Sequence, residues 1–205
     1  MSRVAAPSPR RHAKAPWRPT REEIAAALGR TVPDVIGPSL DVLFCGINPG
    51  LYSGAVGHHF ARPGNRFWKT LHGAGFTDRV LSPFEERRLL ACGVGITNLV
   101  ERATGGAAEL TAAELRSGAH RLTRKVRRLR PRVVAFLGLS AYRTAFDRPV
   151  ATPGPQPEDV GGARVWLLPN PSGRNANFSY EEMLAAFRAL ARLAARTSGA
   201  DHMKP

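Results

Sequence analysis

The sequence predicts an α/β domain: a short parallel sheet of four strands, covered by helices on both faces. Three observations carry this. Four short apolar runs, at 41–46, 94–100, 133–138 and 164–169, have the composition of strands buried on both sides. Segments of helical spacing separate them, so successive strands need crossovers and run parallel. No internal repeat and no domain break interrupts residues 41–195.

Residues 1–20 hold Pro7, Pro9, Pro16 and Pro19 among Arg3, Arg10, Arg11, Lys14 and Arg18, with no acidic residue. They are expected to form a disordered basic tail. Thr20 caps a short helix, with Glu23 as capping-box partner and Ile24, Ala27 and Leu28 as its apolar face. Pro33 and Pro38 end that region, and the first strand begins at Asp41. Gly46, Pro49 and Gly50 then build a tight turn that lifts Asn48 off the carboxyl end of the strand. Leu51 to Asn65 reads as a long loop punctuated by Gly54, Gly57, Pro63 and Gly64; loops of that length in compact domains are often functional. A helix through Phe67, Trp68, Leu71 and His72 follows, then a short one from Phe84 to Ala91, then the second strand.

Thr111, with Glu114, starts a long helix whose Leu115, Ala119, Leu122, Val126 and Leu129 share one face. The other face carries Arg116, Arg121, Arg124, Lys125, Arg127, Arg128 and Arg130, and no acid lies between Leu115 and Pro131. It is either a solvated face or a phosphate-binding one, with Arg124, Arg127 and Arg128 as the candidate contacts. After the third strand come a short helix (140–146), a Pro/Gly-rich loop (149–162) and the fourth strand. That strand ends in a second turn of the same design, Asn170-Pro171-Ser172-Gly173. Ser179, boxed by Glu182, caps the last helix. The globular unit is expected over 21–197, with 198–205 frayed.

Hydrophobic residues make up 43% and charged residues 22%, ordinary for a soluble globular protein. The net charge of +14 is not ordinary and favours a polyanionic partner, nucleic acid first. Two cysteines, Cys45 and Cys92, are too few for a four-cysteine zinc or iron–sulfur site, so no metal and no cofactor is expected. No apolar run approaches the roughly 18 residues of a membrane span, and the basic N-terminus lacks the apolar stretch of a signal peptide. A cytoplasmic protein with no membrane partner is expected.

Asn48 is the candidate reactive side chain, because its turn holds no carboxylate, His or Cys. An Asn is a weak base that can orient a water through a hydrogen bond. That suffices for a dissociative glycosidic cleavage, in which an oxocarbenium-like centre captures a weakly activated water. The alternative is that Asn48 only stabilises its turn.

Four motifs occur in order: Gly46-Ile47-Asn48-Pro49-Gly50, Gly57-His58-His59-Phe60, Pro63-Gly64-Asn65-Arg66-Phe67-Trp68 and Asn170-Pro171-Ser172-Gly173. Together they resemble the mismatch-specific uracil-DNA glycosylases, bacterial relatives of thymine-DNA glycosylase within the uracil-DNA glycosylase superfamily. Ile96 to Arg102 resembles the thymine-glycosylase branch, as do His58 and His59. The resemblance implies a three-layer αβα sandwich around a short, mainly parallel four-stranded sheet. It implies removal of uracil, and of thymine or other modified pyrimidines, from G·U or G·T mismatches in double-stranded DNA. The pocket turns offer no lysine for a Schiff base, the nearest being Lys69, so a monofunctional enzyme is expected, and a monomer. Asn48 would position the attacking water, and Phe60 would stack on the flipped base. Ile47, Ser53, His59, Asn98 and Asn170 would line the base pocket, Ser53 facing the pyrimidine 5-position. Ser172, Gly173 and Arg174 would enter the DNA, Arg174 standing where the familiar bacterial enzyme has an apolar wedge.

Two rivals remain. A nucleotide-binding enzyme of another class would need a Gly-rich phosphate loop, and none is present. A non-catalytic DNA-binding module on the same fold would keep the basic surface but would not need Asn48 and Phe60 together.

Overall fold

A computed structural model describes residues 18–173 and 178–201, with side chains to residue 195. Helix α1 (Arg21–Ala25) is followed by β1 (Val42–Gly46), α2 (Leu51–Val56), α3 (Phe67–Gly73), a 3₁₀ segment (Pro83–Cys92) and β2 (Val94–Asn98). Then come α4 (Ala112–Leu129), β3 (Val133–Leu137), α5 (Leu139–Phe146), β4 (Gly154–Pro155), β5 (Arg164–Leu168) and α6 (Tyr180–Asp201). The expected capping boxes at Thr20/Glu23, Thr111/Glu114 and Ser179/Glu182 are all formed, each hydroxyl accepting from the Glu amide and each carboxylate from the cap amide.

The sheet runs β2-β1-β3-β5-β4. β1, β2, β3 and β5 are parallel; β4 pairs antiparallel with β5. The sheet therefore has five strands, not four. The extra one is the dipeptide Gly154-Pro155, set in a Pro/Gly-rich stretch where the local sequence reads as loop.

Side chains alternate across the sheet. Val42 and Phe44 of β1 face a core with Phe67 of α3 and Met183 and Phe187 of α6. Leu43 and Cys45 face the opposite core, with Leu122 and Val126 of α4 and Tyr142 of α5. Two helical layers thus sandwich one sheet. Phe44 sits edge-on to Phe67 at 5.5 Å and stacked on Phe187 at 5.7 Å. Such aromatic pairs add about 0.5–1.5 kcal/mol each beyond the area they bury.

The expected loop from Leu51 to Asn65 is corrected in its first half, which is α2. Gly54 sits inside that helix because Ala27 and Ala103 close on it; a Cβ there would lie 2.8 Å from the Ala103 methyl. Packing, not propensity, decides this helix. The expected helix from Phe84 to Ala91 is a 3₁₀ segment, and α6 runs on past Ser198 to Asp201. Residues 1–17 of the basic tail lie outside the described residues.

From β1 the chain crosses to β2 on one side, then from β2 to β3 on the other. The winding therefore reverses between β1 and β3. In open α/β sheets a crevice forms at such a point, beyond the carboxyl ends of the strands.

Candidate active site

A cavity of about 590 Å³ opens at that point. Its walls are the turn after β1 (Ile47, Asn48), the start of α5, Asn98 at the end of β2, and Asn170 and Ser172 after β5. Ser53, His59 and Phe60 close it from the 51–60 segment. The structure therefore brings together eight of the expected site residues. Gly173 lies just beyond, and Arg174 is outside the described residues. Arg124, Arg127 and Arg128 are not brought to the cavity. They are exposed on the last turns of α4, which lead into the start of β3, at the amino end of the strands and so at the end of the sheet opposite the cavity.

The Asn48 amide is held firmly. Its nitrogen donates to the carbonyls of Pro49 and Arg102, both at 3.1 Å, and to the Thr104 hydroxyl at 2.8 Å. Thr104 is fully buried, and its hydroxyl donates its own proton to the Gly106 carbonyl at 2.8 Å. Its lone pair is therefore turned to Asn48. With every one of these partners an acceptor, the amide nitrogen is committed and the amide oxygen is left to the cavity side. Arg102 is itself clamped, donating through Nε to Glu114 at 2.6 Å and through its terminal nitrogen at 3.1 Å. That pairing, with the Thr111 amide, holds the Glu114 carboxyl down to about 2. Thr104 and the Arg102 carbonyl were not singled out from the sequence, and Glu114 only as a capping-box partner, since no spacing rule ties position 48 to positions 102 and 104.

Phe60 occupies a left-handed backbone conformation (φ 51°), unusual and costly for an aromatic residue. The amides of its two neighbours are pinned: Ser53 Oγ accepts from the Ala61 amide at 3.1 Å, and Glu86 accepts from the His59 amide at 2.8 Å. The Phe60 ring stacks on Phe67 at 4.1 Å. Its edge would come within 3.4 Å of a Cβ at position 46. Gly46 is also the in-register neighbour of Asn98 across β1 and β2, and a Cβ at 46 would collide with the Asn98 side-chain oxygen. Only glycine lets the aromatic ring and the Asn98 amide meet at the cavity floor.

His58 and His59 part company. His58 turns outward to Glu86 at 2.8 Å and to the Phe84 ring at 4.8 Å. His59 is buried at the floor, bonded to the Pro33 carbonyl and to Asn98. Burial pushes its pKa below the ordinary histidine value, against the pull of Glu86 and other nearby groups, so it stays neutral. Among the described residues no three His, Cys, Asp or Glu side chains converge to hold a metal.

No Asp or Glu is among the described residues lining the cavity; its cations are Arg62 and Arg143. Such a site offers a polyanion no carboxylate repulsion and offers a reaction no strong base. It offers a fixed amide oxygen, an aromatic face and further amides, which suits a planar heterocycle and a weakly activated water.

The family model of the uracil DNA glycosylase superfamily matches residues 33–191, which include all of these cavity residues. The chain belongs to the uracil DNA glycosylase superfamily. A solution NMR structure of a candidate uracil DNA glycosylase from Methanosarcina acetivorans shares the fold. It is 19% identical with a TM-score of 0.50, over 80% of this chain and 99% of that one. Membership makes the chain a DNA glycosylase in the broad sense, an enzyme of base repair that acts on DNA.

Proposed function

We propose that this glycosylase is mismatch-specific: it flips uracil opposite guanine out of the duplex and hydrolyses its N-glycosidic bond, leaving an abasic site. Thymine or other modified pyrimidines opposite guanine are further candidate substrates. The observation that carries the reading is the fixed Asn48 amide at the cavity wall, its nitrogen committed to three acceptors. In the reaction the C1′–N1 bond breaks and its electron pair leaves with the base. The water oxygen bonds to C1′ while its hydrogen rests on the Asn48 oxygen, and the proton passes to solvent. The amide need not remove a proton before the glycosidic bond is largely broken. Phe60 would stack on the flipped base.

The enzyme is proposed to be monofunctional, monomeric and cytoplasmic. Strand cleavage through a Schiff base needs an amine, and no lysine is among the described residues lining the cavity. Lys69 instead lies over the Tyr180 ring, 4.5 Å from its centroid.

Arg174 is proposed to occupy the space left by the flipped nucleotide. The test is incubation with G·U, G·T, A·U and single-stranded uracil DNA, followed by alkali. An alkali-labile site in G·U, with less in A·U, is expected. Binding without cleavage would instead favour a non-catalytic module. Arg174→Ala should slow the duplex substrates far more than single-stranded uracil; equal slowing would reduce Arg174 to a backbone contact.

A further inference from the structure

Beneath the cavity floor lies a run of hydrogen bonds that bond cleavage itself does not use. Glu86, buried on the 3₁₀ segment, spends both carboxylate oxygens on the neighbouring histidines. One accepts from the His59 amide and the other from His58 Nδ1, each at 2.8 Å. His59 is 2% exposed. Its Nε2 faces the Pro33 carbonyl at 2.9 Å, and its Nδ1 faces the Asn98 amide nitrogen at 3.3 Å. A carbonyl only accepts, so Nε2 carries the proton. In a neutral ring Nδ1 is then a lone pair, and its partner on Asn98 has to be the NH₂ group. The Asn98 oxygen is left on the opposite side, at the floor against Gly46, where a Cβ would strike it.

We infer that His59 and Glu86 are positioning residues which set the Asn98 amide with its oxygen toward the cavity, so that the site reads the imide edge of a pyrimidine. This rests on the glycosylase reading above. Uracil and thymine carry a proton on N3, which an amide oxygen accepts. Cytosine carries a lone pair there, which the same oxygen repels. Left unheld, a terminal amide can flip and exchange its oxygen for NH₂, and that preference would weaken or reverse. The choice of base is then made by a backbone carbonyl at position 33. It acts through the tautomer of a histidine that need not touch the substrate, while Glu86 keeps that histidine in place.

The experiment compares excision of uracil and of cytosine opposite guanine by the wild type, His59→Leu, His59→Gln and Glu86→Ala. Loss of one buried hydrogen-bond partner predicts a fall in the uracil-to-cytosine ratio of about tenfold or more in His59→Leu. Glu86→Ala should move the ratio in the same direction. His59→Gln, whose side-chain oxygen can still accept from Asn98, should restore the ratio toward wild type. A ratio unchanged in His59→Leu, with rate lost only in step with thermal stability, overturns the inference. Nitrogen-15 NMR of the wild-type imidazole gives an answer that needs no variant to fold. Protonated Nε2 with bare Nδ1 supports the inference; a protonated Nδ1 overturns it. If the wild type excises no uracil, the glycosylase reading fails first, and the NMR result still decides the orientation of the amide.

Discussion

Replacing Thr104 by Val is the sharpest test of how Asn48 is held. Val keeps the volume at a fully buried position and removes the hydroxyl that accepts from Asn48 and donates to the Gly106 carbonyl. The Gly106 carbonyl loses that proton, at an expected stability cost of about 1–3 kcal/mol. The effect on Asn48 should be smaller than removal of the side chain. An NH₂ group has two protons and here three acceptors, so the carbonyls of Pro49 and Arg102 can still take both. The amide keeps its sense but loses its shortest restraint. Single-turnover excision from a G·U duplex should fall by about tenfold, against a factor on the order of 10² to 10⁴ for Asn48→Ala. Duplex affinity should hold in both, because neither change touches the basic surface. Thr104→Ser keeps the hydroxyl and should recover most of the rate. If Thr104→Val cleaves at the wild-type rate, the hydroxyl does not position Asn48. If it is as poor as Asn48→Ala, Thr104 acts directly on the water, and the anchoring argument is wrong. Near-normal cleavage by Asn48→Ala would remove the catalytic role altogether.

Borohydride added during turnover should trap no covalent complex; an adduct that vanishes in Lys69→Ala would show strand-cleaving chemistry through that amine. Neutralising a cation that touches phosphate lowers the slope of log K against log salt by about one unit. Arg124, Arg127 and Arg128 sit away from the cavity, so the slope should not change in any of the three single variants; a drop in one would show that the duplex reaches the far end of α4. Glu114 is held down to about 2, chiefly by Arg102. A depressed carboxyl stabilises the fold fully above the ordinary carboxylate range and loses that contribution as pH falls through about 2. Acid unfolding of Glu114→Gln should therefore depend less steeply on pH in that window than the wild type, and an identical pH dependence would show that the clamp adds nothing to stability.

Local rules and the motifs they carry made much of this protein legible. The capping boxes at Thr20, Thr111 and Ser179 need only residues three apart, so they can be read in one dimension. The four apolar runs announced the parallel sheet because strands buried on both faces leave little room for polar side chains. Asn48 and Asn170 stood out because Gly and Pro around them forbid regular structure and expose one side chain each, whereas Phe60 was singled out by the family resemblance. What needed three dimensions was every contact between distant parts of the chain. α2 forms around Gly54 because Ala27 and Ala103 arrive from elsewhere. β4 exists only because β5 lies beside it. The strand order places the cavity between β1 and β3, at the carboxyl ends of the strands, while the basic end of α4 leads into β3 at their amino ends. Thr104 reaches Asn48 across 56 positions, and Glu86 reaches the His59 amide across 27. The candidate amide can thus be picked out from its own turn. The direction in which it points is set in large part by two acceptors, the Arg102 carbonyl and the Thr104 hydroxyl, that only folding brings within 3.1 Å.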